Sequence, residues 1–276
     1  YTYSLSALFE KSFHFGLDLA ASYTFGHSKS VYDGTSSVAY SNWKYNYAVD
    51  SNNPGLAYSM FDIPHRVMVS VGYRTPRYAK GFMATTVSLV YNGYVGQRYS
   101  LTMNESYYDA EKKKTVYIDY NGDGWGGNSL LYIPTEDELQ KMDFKTEEDR
   151  RKFDEWIEGD SYAKKHRGAY AMRNSNSAPW ENRVDLHVAQ DIFVLKDRGS
   201  KFQVTFDVTN FANMLNKKWG TTYTAAYNVM PLQVIGSKKG EDGNYTNTYA
   251  YNSRNTITKN DVLSRWHAQI GFKYIF

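Results

Sequence analysis

The sequence predicts an all-β fold, an antiparallel transmembrane β-barrel segment of about seven long strands, and three observations carry that prediction. Apolar and polar side chains alternate over runs of roughly ten residues, the length a tilted strand needs to cross a bilayer. The connections between those runs alternate between short and long, as in outer-membrane barrels with short periplasmic turns and long extracellular loops. Finally, aromatic content is 17%, with 26 tyrosines, while hydrophobic content is only 42% and mean hydropathy is -0.62. A wall that needs apolar side chains on its lipid face alone, with Tyr and Trp at both water interfaces, has that composition.

The strands follow in order. Tyr1, Tyr3, Leu5, Ala7 and Phe9 share one face of the first. In the second, Phe13, Phe15, Leu17, Leu19, Ala21, Tyr23 and Phe25 oppose His14, Gly16, Asp18, Ser22 and Thr24. Val67, Val69, Val71 and Tyr73 mark a third. Thr85, Val87, Leu89 and Tyr91 mark a fourth, with Val90 on its polar face. The fifth carries Val184, Leu186, Val188 and Ile192, interrupted by Gln190. The sixth sets Phe202, Val204, Phe206 and Val208 against Lys201, Gln203, Thr205, Asp207 and Thr209. The last places Trp266, Ala268, Ile270, Phe272, Tyr274 and Phe276 together and ends on an aromatic residue.

Short links are expected around Lys11 and Ser12, from Thr75 to Gly81 and from Leu195 to Ser200; long ones near 29–65, 99–182 and 216–263. Soluble β-sandwich strands also alternate in and out, but they are usually nearer 5 or 6 residues. Loops this long are uncommon in a compact soluble domain.

Other classes are excluded or left without support. No apolar run reaches the length of a transmembrane helix. The net charge of +3 is small and dispersed, which argues against a nucleic-acid partner. Cysteine is absent, a weak indicator of compartment. His14, His27, His65, His166, His187 and His267 show no metalloprotease spacing, and no nucleophile-elbow motif accompanies them, so no enzyme and no catalytic residue is assigned. His14, His187 and His267 fall on polar strand faces. Asp18, Arg66, Asp185 and Asp207 are expected there too, pairing with one another or with a plug inside the barrel.

The long loops hold local order. Asp119, Asn121 and Asp123 in the run 119–124 present oxygens at alternate positions before glycine, as a calcium loop begins. The closing glutamate of an EF-hand is missing, since Leu130 stands there. The same pattern makes an ordinary turn in which Asn and Asp bond their own backbone. Thr135 with Glu138, and Thr146 with Asp149, are N-terminal capping patterns that predict short helices in the 135–160 region. Phe153, Trp156 and Ile157 then share a helical face, which packs on the loops or receives a surface partner protein. Trp43, Tyr45, Tyr47, Trp125 and Trp180 are candidates for substrate contact by stacking, or else members of the interfacial aromatic girdle.

Four stretches carry a family resemblance: DYNGDGWGGNSLLYIP from Asp119, HRGAYAMRN from His166, APWENRVDL from Ala178 and FDVTNFANMLNKKWG from Phe206. In order and spacing, through the closing SRWHAQIGFKYIF, they resemble the C-terminal half of TonB-dependent receptors of the Oar-like type, which carry a carboxypeptidase-regulatory-like domain at the N-terminus. The ending, with Phe272, Tyr274 and Phe276, resembles the signal read by the barrel-insertion machinery.

The resemblance implies an outer-membrane transporter whose loops bind a bulky substrate and whose plug rearranges when pulled by the TonB complex. Residues 1–276 are then expected to be the C-terminal part of one barrel domain embedded in outer-membrane lipid, with plug and N-terminal domains lying outside it. The alternatives are a structural or adhesive outer-membrane protein that does not transport, and a soluble carbohydrate-binding β-sandwich.

Overall fold

The computed structural model describes residues 1–194, 200–225, 228–241, 243–253 and 257–276. Seven long strands form one antiparallel sheet in chain order: β1 (Thr2–Ser12), β2 (Leu17–Ser30), β3 (His65–Arg74), β4 (Met83–Tyr94), β5 (Glu181–Phe193), β6 (Lys201–Thr209) and β7 (His267–Ile275). These are the seven periodic runs of the sequence. Each wall strand pairs with its neighbour in sequence, so the sheet is a continuous meander. β1 pairs with β2 alone among the wall strands, and β7 with β6 alone.

Register turns the alternation into two chemically distinct faces. Leu19 lies opposite Val71, Val71 opposite Leu89, Leu89 opposite Leu186, Leu186 opposite Val208 and Val208 opposite Ala268. A second row runs Tyr73, Val87, Val188, Phe206, Ile270. Many side chains of this face are exposed: Val71 and Leu89 by 40%, Ile270 by 62%, and, elsewhere on the same face, Leu5 by 74% and Phe272 by 80%. A water-soluble sheet would bury such a face; a lipid-facing wall presents it outward. The opposite face carries the row Asp18, Gly72, Ser88, His187, Asp207, Gln269. Val90 sits on that polar face, opposite Ser70 and Asp185.

Gln190 interrupts the apolar face but leaves no polar group unmet. Its Oε1 accepts from Tyr78 Oη (2.9 Å) and Thr85 Oγ1 (2.8 Å), and its Nε2 donates to the carbonyls of Ala84 and Asp191.

The first link differs from expectation. β1 continues through Lys11 and Ser12, and the turn falls at 13–16, taking Phe13 and Phe15 out of β2. Gly16 decides this: it adopts φ +96, and a Cβ there would lie 2.2 Å from the Arg74 carbonyl oxygen. The second link, 75–82, is short as expected. The expected turn from Leu195 to Ser200 lies, but for Ser200, outside the described residues.

At the other end the three long connections fold together into a cap. Ser100 and Leu101 pair with Asn228 and Val229, Asn176 and Ser177 pair with Tyr99 and Arg98, and Asp143 and Phe144 pair with Thr248 and Tyr249. The main cluster of buried apolar side chains lies in this cap and not in the wall, centred on Leu101, Leu131, Ile133, Leu139, Phe153, Ile157 and Leu232.

The cap carries the helix α1 (Ala39–Lys44), and its next two helices begin where the capping patterns place them. In α2 (Glu136–Lys141), Thr135 and Glu138 complete the reciprocal box. In α3 (Glu147–Gly159), the Thr146 side chain accepts from the Asp149 N–H. Phe153 and Ile157 of α3 are fully buried in the cap core and Trp156 packs against it, so this face serves packing.

A lysine should separate the two faces of the wall. Leu89→Lys, on the lipid-facing row, is expected to destabilise the folded protein by about 2–4 kcal/mol. Ser88→Lys, one position away among Asp185 and Asp207, should change stability by less than about 0.5 kcal/mol. Urea unfolding in lipid vesicles measures both, and equal losses would contradict the assignment of faces.

Candidate functional site

The cap encloses a cavity of about 570 Å³ near the ends of β2 and β4, within the size range of small-molecule sites. Its framework is two buried ion pairs. Arg98, just past β4, donates to Asp62 Oδ2 from Nε (2.9 Å) and Nη2 (2.7 Å), and its guanidinium stacks 4.1 Å over the Tyr58 ring. Asp62 also accepts from the Ser28 N–H at 2.6 Å and faces His27 at 3.3 Å.

Arg173 donates to Asp33 Oδ2 (2.9 Å) and to the Ser30 carbonyl (2.6 Å). Burial holds its guanidinium below the ordinary value, and Asp33 beside it offsets part of that. Asn174 adopts φ +56, which lets its Nδ2 reach the Tyr58 carbonyl (2.8 Å) and Asp33 (3.3 Å) while its N–H meets Ser100 Oγ (2.9 Å). A buried charge is tolerable only when paired and hydrogen-bonded, and here each arginine has its own carboxylate.

Tyr45, Asn46, Tyr47 and Gln97 are among the other residues that line the cavity. Asn46 is 7% exposed, and its Nδ2 has no hydrogen-bond partner among the described residues. The segment bearing Tyr45, Asn46 and Tyr47 follows α1 (Ala39–Lys44), an unforeseen helix. It is fastened at Lys44, whose ammonium stands 3.2 Å from the centre of the Trp125 ring and also approaches the rings of Tyr45 (5.2 Å) and Tyr40 (5.6 Å). That arrangement is a cation–π cage.

The candidate contact residues thus divide by place. Tyr45 and Tyr47 line the cavity. Trp125 meets Tyr45 edge-on at 6.2 Å and holds Lys44. Trp43 stacks on Tyr40, and its Nε1 donates to Asn52. Trp180 stands at the rim of the wall, its Nε1 3.5 Å from Tyr91 Oη on the apolar face. Arg98, Arg173, Asp33 and Asp62 were not foreseen. Their only trace in sequence is that Arg173 and Asn174 close the stretch beginning at His166.

The 119–124 run forms a turn held by its own side chains. Asp119 accepts from the Asp123 and Gly124 N–H groups (3.2 and 2.8 Å). Asp123 Oδ2 accepts from Ser51 Oγ (2.5 Å), Asn128 Nδ2 (2.7 Å) and Asn121 Nδ2 (3.2 Å), tying the turn to the segment behind α1. Burial alone would raise the Asp123 carboxyl, but the bonds from Asn128, Ser51, the Trp125 N–H and Asn121 outweigh it and hold the group below its ordinary value. The candidate calcium ligands Asp119, Asn121 and Asp123 are thus held by the turn's own hydrogen bonds. Among the described residues, no three His, Cys, Asp or Glu side chains converge as a metal site.

On the polar face of the wall, Arg66, Asp185 and Asp207 make separate arrangements and do not pair with one another. His187 Nδ1 hydrogen-bonds Asp207, Arg66 donates to Asn92 (3.1 Å), and Asp185 accepts the Asn210 N–H (2.7 Å). Asp191, Arg74, Lys201 and Gln203 form a fuller cluster at the short-turn end, in which Asp191 accepts from the other three at 2.7–2.8 Å.

A family model for the outer membrane beta barrel domain matches residues 2–265. The chain belongs to that family. It is therefore an outer-membrane β-barrel protein of the bacterial outer membrane, in keeping with the exposed apolar face of its wall. No curated protein and no solved structure matches it. In barrels of this kind the long loops face the exterior, which puts the cap and its cavity at the cell surface.

Two outcomes test the framework. Arg98→Met strands Asp62 as a buried unpaired charge and is expected to destabilise the cap by about 3–5 kcal/mol, while Arg98→Met with Asp62→Leu recovers most of the loss. Hydrogen exchange of residues 98–101 reads the difference.

For the Asp123 turn, the depressed folded value means its stabilisation is present above the unfolded value of about 3.9 and is lost as pH falls through the folded one. Exchange protection of residues 119–129 should hold down to about pH 4 and then fall. Asp123→Asn should remove that step.

Proposed function

We propose that this chain is the C-terminal wall and surface cap of a TonB-dependent transporter. The cap captures a substrate at the cavity, and energy transmitted from the inner membrane through a plug moves it through the lumen. The observation that supports this best is the juxtaposition of two features. A folded cap with a lined cavity stands over a wall whose inner face is polar, from Asp18 through His187 and Asp207 to Gln269. A purely structural barrel has no need of a cavity built on two buried ion pairs.

Width supports the same reading. Seven strands enclose little, whereas transporters of this type close with 22 around a plug. β1 and β7 each keep an outer edge on which further strands of the same barrel can add. The row of polar groups would then face the plug, with Arg74, Lys201 and Asp191 at its periplasmic end. The chain's own residues do no bond-making chemistry in this scheme: they bind, position and line a path.

The test is physical association. The full-length protein, purified in detergent, should bind the periplasmic domain of TonB in a co-elution assay and lose that binding when the segment upstream of the plug is deleted. A full-length protein that has no plug and does not bind TonB would sink the transport reading and leave a non-transporting, adhesive barrel.

A further inference from the structure

The cavity's chemistry selects among the substrates a surface receptor could take. Its charges cancel: Arg98 is matched by Asp62 and Arg173 by Asp33, at 2.7 and 2.9 Å, so no uncompensated charge rewards an acidic or basic ligand. An anionic metal chelate or an acidic glycan would have to break one of these buried pairs to gain a partner, at a cost that pairs of this kind rarely return.

The remaining groups are neutral. Asn46 offers a buried donor with no partner, and Gln97 is an exposed carboxamide with both a donor and an acceptor. An unmet buried donor costs free energy until something accepts from it. Tyr45, 63% exposed, adds a ring face. Among the described residues Met60 is the sole aliphatic side chain in the lining, so this cavity offers no apolar recess for the side chains of a peptide.

We infer that the cavity is a binding site for a neutral oligosaccharide. One sugar unit would lie with its C–H face on Tyr45, a hydroxyl pairing with the Gln97 carboxamide and another oxygen accepting from Asn46 Nδ2 as that buried group turns toward it. Carboxamides and aromatic rings together match this ligand, because vicinal hydroxyls take paired donor–acceptor bonds while the opposite face of the ring is apolar. The volume, about 570 Å³, admits a small oligosaccharide segment and not a folded protein. This inference rests on the reading of the cap as the capturing element, but not on how the captured ligand is moved.

The test is titration of the full-length protein in detergent, without TonB or a membrane potential, against three probes. These are neutral oligosaccharides, the same chains carrying uronic acids, and a peptide mixture; calorimetry and intrinsic fluorescence report binding. Neutral chains should bind saturably and the acidic ones more weakly. Asn46→Leu should weaken the neutral ligand about tenfold, the worth of one good buried hydrogen bond. Gln97→Ala changes an exposed side chain, leaves the fold intact and should also lower affinity, so it decides the matter if Asn46→Leu fails to fold.

Preference for peptide or for acidic chains overturns the proposal, as does neutral binding that both variants leave unchanged. Saccharide binding without TonB association would sustain this inference while removing the transport reading. TonB association without saccharide binding would do the reverse.

Discussion

In hydrocarbon there is no water to accept a backbone hydrogen bond, so a chain that crosses the membrane as strands must find every partner within its own sheet. The uninterrupted ladder from β1 to β7 follows from that constraint, and much else follows from the ladder. Because pairing fixes register, side-chain alternation becomes two rows, one for lipid and one for the interior. Because lipid solvates the outer row, Leu5 and Phe272 lie exposed with no loss of stability. Even the exception obeys it: Gln190 on the apolar face has all its polar atoms engaged.

The wall therefore has no apolar core of its own to speak of, and the molecule places its core elsewhere. The long connections bury Leu101, Ile133, Phe153 and Leu232 together, and this core holds the cap in one shape. A cap of fixed shape can hold polar groups in fixed places, which loose loops cannot. The pairs Arg98–Asp62 and Arg173–Asp33 each join segments distant in sequence, so their geometry depends on the cap being whole.

Period-2 alternation made the wall legible, since it is a local signal repeated along each strand. Its misplacement of Phe13 and Phe15 in a strand arose because the alternation runs on through the turn, where Gly16 marks the break. The starts of α2 and α3 were legible for the same reason, a cap being a relation between residues three apart. The cavity was legible only in its aromatic part. Tyr45 and Tyr47 drew notice as rings in a loop, whereas the arginines and aspartates behind them look like any surface charge until the fold joins Arg98 to Asp62 and Arg173 to Asp33. No periodicity relates partners so far apart.

That separation also orders events in time. Ser100 pairs with Asn228 and Phe144 with Tyr249, and between the two members of each pair lie β5 and β6. The cap cannot close until those strands have been threaded across the bilayer and the chain has returned to the outer side. Local contacts form early and distant ones late, so the cap is the last part to assemble. Its completion records that the preceding strands were inserted, and a chain stalled during insertion would present an unfinished, protease-sensitive cap at the surface.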